Sequence, residues 1–132
     1  MNLLKPLAEG PIDIIGDIHG EIDALQALLD RLGYSASGSH PQGRRLVFIG
    51  DLVDRGPDSP GVIQHVRELV ENHGAELILG NHELNLLVDD IKDGSGWFFD
   101  ERFEQDCENY APFSRTPESE RKDVREFLSR QP

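Results

Sequence analysis

Gly16-Asp17-Ile18-His19-Gly20, Gly50-Asp51-Leu52-Val53-Asp54-Arg55-Gly56 and Gly80-Asn81-His82-Glu83 follow one another along the chain, each directly after an apolar run. Those runs, Ile12 to Ile15, Leu46 to Ile49 and Leu77 to Leu79, are short and rich in β-branched residues and leucine, and they lead into glycine. Such segments read as buried parallel strands that deliver polar side chains from their C-terminal tips. Ile22, Leu25, Leu28, Leu29 and Leu32 recur at helical spacing before Gly33, which predicts a helix over about Glu21 to Leu32. Ser59 as N-cap, Pro60 in first position and Val62, Ile63, Val66, Leu69 and Val70 on one face predict a second helix closed by Gly74. Leu84, Leu87, Val88 and Ile91 give a third apolar stripe. The alternation of strand and helix predicts an α/β fold with a parallel βαβαβ core, flanking helices and all three motif tips on one edge.

Beyond Asp93 the pattern weakens. Gly94-Ser95-Gly96 breaks the third helix, and Trp97, Phe98 and Phe99 form an apolar knot that reads as a packing anchor, one whose exposure would promote association. Asp100 to Glu108 reads as a solvated helix face, and Thr116 as N-cap with Pro117 in first position predicts a last helix ending near Gln131. A single domain over 1–132 is expected, with a core over 1–91 and a helical extension over 92–132.

The chain has 132 residues, 37% of them hydrophobic, and 25 acidic against 13 basic side chains give a formal net charge of −12. That balance argues against a general nucleic-acid or acidic-membrane surface. Met1 to Leu7 is too short for a signal-peptide core, and no stretch approaches a membrane span. The single Cys107 cannot form an internal disulfide and lacks a basic neighbour that would activate it; a cytoplasmic setting is expected.

Asp17 and His19 alternate along an extended segment, so both can face one ion. Asp51 can bridge two ions with its two oxygens, and Asn81 adds a neutral carbonyl oxygen; this mixed shell suits Mn²⁺, Fe or Zn²⁺. Two such ions about 4 Å apart can activate a shared water for in-line attack on phosphorus. Arg55 offers a planar fork for phosphate oxygens, or a surface pair with Asp58. His82 can donate a proton to a departing oxygen if Asp54 holds its other ring nitrogen; alone it would be a structural histidine. Glu83 reads as a charge neutralising the start of a helix. His40, His65 and His73 lie away from the tips and read as solvent-facing.

With all three motifs complete, the chain resembles the calcineurin-like metallophosphoesterases, in the branch of the Ser/Thr phosphoprotein phosphatases and symmetrical diadenosine-tetraphosphate hydrolases. The resemblance implies the first half of a two-sheet αββα sandwich and two divalent metal ions, Mn²⁺ foremost. It implies metal ligation by Asp17, His19, Asp51 and Asn81, an acid and its partner in His82 and Asp54, and phosphate binding by Arg55. It also implies a hydrolase acting on a phosphorylated substrate, whether protein, nucleotide or small molecule.

No histidine follows His82, whereas the family completes its metal shells with later histidines on a second sheet. The domain is therefore expected to be incomplete at its carboxyl end, with three ligand side chains for one ion and two for the other. The alternative expectation is a catalytically silent fragment that binds at most one metal or self-associates through an exposed apolar sheet face.

Overall fold

Three parallel strands, β1 (Ile12–Ile15), β2 (Arg45–Phe48) and β3 (Glu76–Leu77), lie side by side in the order β1-β2-β3 in the computed structural model, which describes residues 4–7, 9–110 and 112–132. The amino-terminal stretch read for leader character lies partly outside the described residues. Helices α1 (Ile22–Leu32) and α2 (Ser59–Asn72) connect the strands, and α3 (Asn81–Leu87), α4 (Asp100–Asn109) and α5 (Glu118–Ser129) complete the chain. This is the α/β fold expected from the alternating pattern.

Strand register explains how the sheet is covered. Ile15 pairs with Phe48 and Phe48 with Leu77, so their side chains share one face. That face is buried with Leu25 and Leu29 of α1 and Val62, Val66 and Leu69 of α2. Ile14, Ile49 and Ile78 fall on the opposite face and are 61%, 50% and 44% exposed. One face is thus packed and the other presents a row of apolar side chains.

Several local expectations are corrected. The third strand pairs over only Glu76–Leu77, although Ile78 N still donates to Phe48 O at 2.8 Å. The cap of α2 is Asp58, whose Oδ1 accepts from Gly61 N at 2.9 Å, because Ser59 is turned inward to another task. The N-cap of α5 is Pro117 rather than Thr116, which is buried ahead of the helix with its backbone N–H donated to Trp97 O. In α3 the buried residues are Glu83 and Leu86, while Leu84, Val88 and Ile91 are exposed, since the helix ends at Leu87 and only one turn reaches the core. The aromatic knot is the packing anchor that was expected: Trp97, Phe98 and Phe99 are buried in the core, with the Arg121 and Arg125 guanidinium carbons 5.8 and 5.3 Å from the Phe98 ring centroid. His40 and His65 are half-buried rather than fully solvent-facing. His40 Nε2 donates to Leu32 O and Nδ1 accepts from Gln42 N, closing the loop after α1, and His65 is partly buried on α2.

Candidate metal centre

Each strand ends in a sharp turn, and the turns meet. His19 N donates to Asp51 O at 3.0 Å and Gly20 N to Leu52 O at 2.8 Å, so the first two motifs are bonded backbone to backbone. The close approach requires glycine: a methyl group on Gly56 would collide with the His19 carbonyl oxygen, and one on Gly50 with the backbone N of Gly80. Asp17, His19, Asp51, Asp54 and Arg55 have φ of 54°, 45°, 53°, 78° and 73°. Among the described residues, Asp89 is the one other non-glycine with positive φ. That conformation costs an L residue about 1–2 kcal/mol, and such strain gathers where side chains must be aimed.

The aiming brings three expected ligands together. One ligand atom from each of Asp17, His19 and Asp51 lies within 4.8 Å of the others. His19 Nδ1 lies 2.8 Å from Val53 O, which accepts its proton and leaves Nε2 as the free acceptor. Two carboxylates and a neutral imidazole form a donor set that fits a divalent cation of the Mn²⁺, Fe or Zn²⁺ type. Asn81 is the first residue of α3, exposed, and follows Gly80, where a side chain would collide with the Asp51 carboxylate. His82 N donates to Asp51 Oδ1 at 3.3 Å, so the third motif joins the same cluster.

Beside it lies a hydrogen-bonded histidine–aspartate pair. His82 Nδ1 is 2.7 Å from Asp54 Oδ2, leaving Nε2 free, and the His19 and His82 rings meet edge-on at 4.6 Å. Asp54 is fully buried; burial pushes its carboxyl above the ordinary carboxylate range, and its bonds to His82 and Trp97 oppose that rise. Arg55 is exposed at the rim, its Nε 4.0 Å from Asp93; Asp58 is occupied by its helix cap.

Four groups carry bonds that the sequence reading did not assign. Glu83 is fully buried and its carboxylate accepts from Asp51 N at 2.8 Å, Leu52 N at 2.6 Å and Gly80 N at 3.0 Å, so it clamps two motif turns together as well as capping α3. Burial pushes it up too, against those backbone bonds. Ser59 Oγ accepts from Asp54 N at 3.0 Å. Trp97 Nε1 donates to Asp54 Oδ1 at 2.7 Å. Asp106 accepts from Gly94 N, Gly96 N and Arg102 Nε, pinning the glycine loop to α4. The signal for Glu83 was present as an acid three residues beyond Gly80; Asp106 was hidden in an acidic run.

A parallel sheet whose tips gather acids and imidazole about one point defines a metal-site α/β protein, and comparison with known proteins gives its family. The family model described as calcineurin-like phosphoesterase matches residues 10–130, and the chain belongs to that family. Bis(5'-nucleosyl)-tetraphosphatase PrpE (asymmetrical) of Halalkalibacterium halodurans is 51% identical over 73 residues, which cover 53% of this chain and 30% of that protein. The protein of the same name from Bacillus subtilis is 47% identical over 73 residues, with coverage of 53% and 30%. The matched stretch thus spans under a third of these relatives' length. A crystal structure assigned to a diadenosine tetraphosphatase superposes with a TM-score of 0.55 at 31% identity, over 92% of this chain and 42% of that one. No helix among the described residues is long and apolar enough to cross a membrane.

Proposed function

We propose that the chain carries the catalytic centre of a metal-dependent phosphoesterase, and that its substrates are phosphoanhydrides or phosphate esters of nucleotides. The observation that carries this is the convergence of Asp17, His19 and Asp51 ligand atoms within 4.8 Å, beside the His82–Asp54 pair. The relatives named bis(5'-nucleosyl)-tetraphosphatases support a dinucleotide polyphosphate over a phosphoprotein.

Asp17, His19 and Asp51 would hold one ion, and Asp51 with Asn81 a second, with Mn²⁺ our first choice. When bound, divalent ions lower the pKa of water and neutralise phosphoryl charge. Arg55, extending from the strained turn after β2, orients the phosphoryl group through its planar donor fork. His82, with Nδ1 committed to Asp54, gives the proton on Nε2 to the departing oxygen. Asp54 keeps that imidazole in register by holding its Nδ1. A cytoplasmic location belongs to the same reading, as does a substrate other than nucleic acid.

The test is hydrolysis of p-nitrophenyl phosphate and of diadenosine tetraphosphate by the 132-residue chain with added Mn²⁺. Activity that chelator removes and that Asp51→Asn abolishes is expected; turnover indifferent to chelator overturns the reading.

A second reading has its own observation. The open row of Ile14, Ile49 and Ile78 suits pairing with a second copy of the chain, so sedimentation should show a dimer that Ile49→Lys dissociates; a monomer at all concentrations refutes it.

A further inference from the structure

We propose that Trp97 is a positioning residue for His82, acting through Asp54, so that the loop leading into α4 belongs to the working centre. Its catalytic meaning rests on the phosphoesterase reading; its geometry stands independently.

Asp54 has both carboxylate oxygens committed, Oδ2 to His82 Nδ1 and Oδ1 to Trp97 Nε1, each at 2.7 Å. Among the described residues, no lysine or arginine bonds to it. Held by His82 alone, a carboxylate can swing about its Cβ–Cγ bond, because that torsion is broad. The indole N–H, fixed at the far oxygen, makes one orientation preferred and keeps Oδ2 facing the imidazole. Trp97 is itself immobilised: it is 1% exposed, packs edge-on against Phe98 with ring centroids 5.3 Å apart, and its carbonyl oxygen accepts from Thr116 N.

The loop that carries it is fastened twice. Gly94 N and Gly96 N donate to the buried carboxylate of Asp106 at 3.1 and 2.7 Å, and Gly94 O accepts from Arg55 N at 3.0 Å. One segment therefore sets both the orientation of Asp54 and the backbone of the phosphate-facing arginine. For space-filling, phenylalanine would serve; what indole adds is a donor aimed at Asp54. A purely structural alternative is that a buried indole N–H simply takes the nearest acceptor, and the experiment separates the two.

The chain has a single tryptophan, so biosynthetic replacement of tryptophan by benzothienylalanine exchanges N–H for sulfur at this position alone, with little change in ring shape. Trp97→Phe is the companion variant, and thermal melts confirm that both fold. Two readouts follow. The first is the ¹⁵N-labelled imidazole of His82, assigned by its loss in His82→Asn: its Nδ1 resonance should move in both altered proteins. An unmoved resonance overturns the proposal. The second is turnover with Mn²⁺ on two esters. On phenyl phosphate, whose leaving group needs a proton, kcat should fall about tenfold with KM unchanged. On p-nitrophenyl phosphate, whose leaving group departs as an anion, the fall should be about twofold or less. Equal losses on the two esters, or none, overturn it. Absence of turnover by the unaltered chain counts against the phosphoesterase reading alone, and the resonance then decides the positioning role.

Discussion

Asp13 on β1 and Asp54 beyond β2 solve one problem in opposite ways. Each carboxylate takes a hydrogen bond of 2.7 Å from an aromatic donor, Tyr34 OH for Asp13 and Trp97 Nε1 for Asp54. Asp13 also receives the Arg44 fork, with Nε on Oδ2 at 3.0 Å and a terminal nitrogen on Oδ1 at 2.9 Å. That guanidinium, followed by the Tyr34 bond, holds Asp13 below the ordinary carboxylate range. Asp54 has an imidazole in the guanidinium's place and is more deeply buried, and burial pushes it upward. A permanent cation fixes charge and fastens structure, whereas a titratable partner leaves a proton that can be passed on. The two clusters differ in their partner, and on the proposed function that partner separates a fastening from the machinery.

The sharpest way to break this contrast is through turnover. In the Mn²⁺-dependent reaction, Asp54→Asn and His82→Asn should each lower kcat by about 10²–10⁴-fold, the scale of a lost general acid. Asp13→Asn should leave kcat within about twofold, since it touches none of the proposed machinery. The comparison collapses if Asp13→Asn costs as much as Asp54→Asn in steady-state assays on phenyl phosphate.

What the residues disclosed unaided follows the same divide. The strands and first two helices were legible because apolar period and glycine placement are local signals, and Gly33 indeed closes α1 with φ of 97°. Asp17, His19 and Asp51 were legible because complete motifs each followed a strand. Glu83 was half legible: its place three residues past Gly80 marks a helix start, but its bonds to Asp51 N and Leu52 N span more than thirty residues of sequence, which no local pattern encodes. Trp97 and Asp106 were opaque for the same reason, because a buried donor and its acceptor are indistinguishable in sequence from a packing ring and a solvated acid. Ser59 looked like a cap because its hydroxyl chemistry is that of a cap; Asp58 holds the position, freeing Ser59 for Asp54 N. The exposed Leu84 and Val88 show the converse limit, since periodicity marks an apolar stripe without saying whether anything packs on it.

The smaller and finer test concerns stability, where the two clusters should respond to pH with opposite sign. Asp13 has its folded-state value lowered by Arg44, so its contribution is fully present above the ordinary carboxylate range and is lost as pH falls through the folded value. Asp13→Asn should therefore cost about 1 kcal/mol at neutral pH, the worth of a partly exposed bidentate pair, or about 4 °C in Tm. The deficit should shrink progressively below about pH 4, read from denaturant unfolding of both proteins at pH 7 and pH 3. Asp54, raised by burial, binds its proton more tightly folded than unfolded, so its contribution declines as pH rises from the ordinary carboxylate value through the raised one. Asp54→Asn removes that dependence, and the wild-type advantage over it should be larger at pH 3 than at pH 7 in metal-free buffer. Parallel rather than opposed trends for the two variants would mean that burial does not separate these carboxylates, and that Arg44 and His82 hold their partners by the same electrostatics.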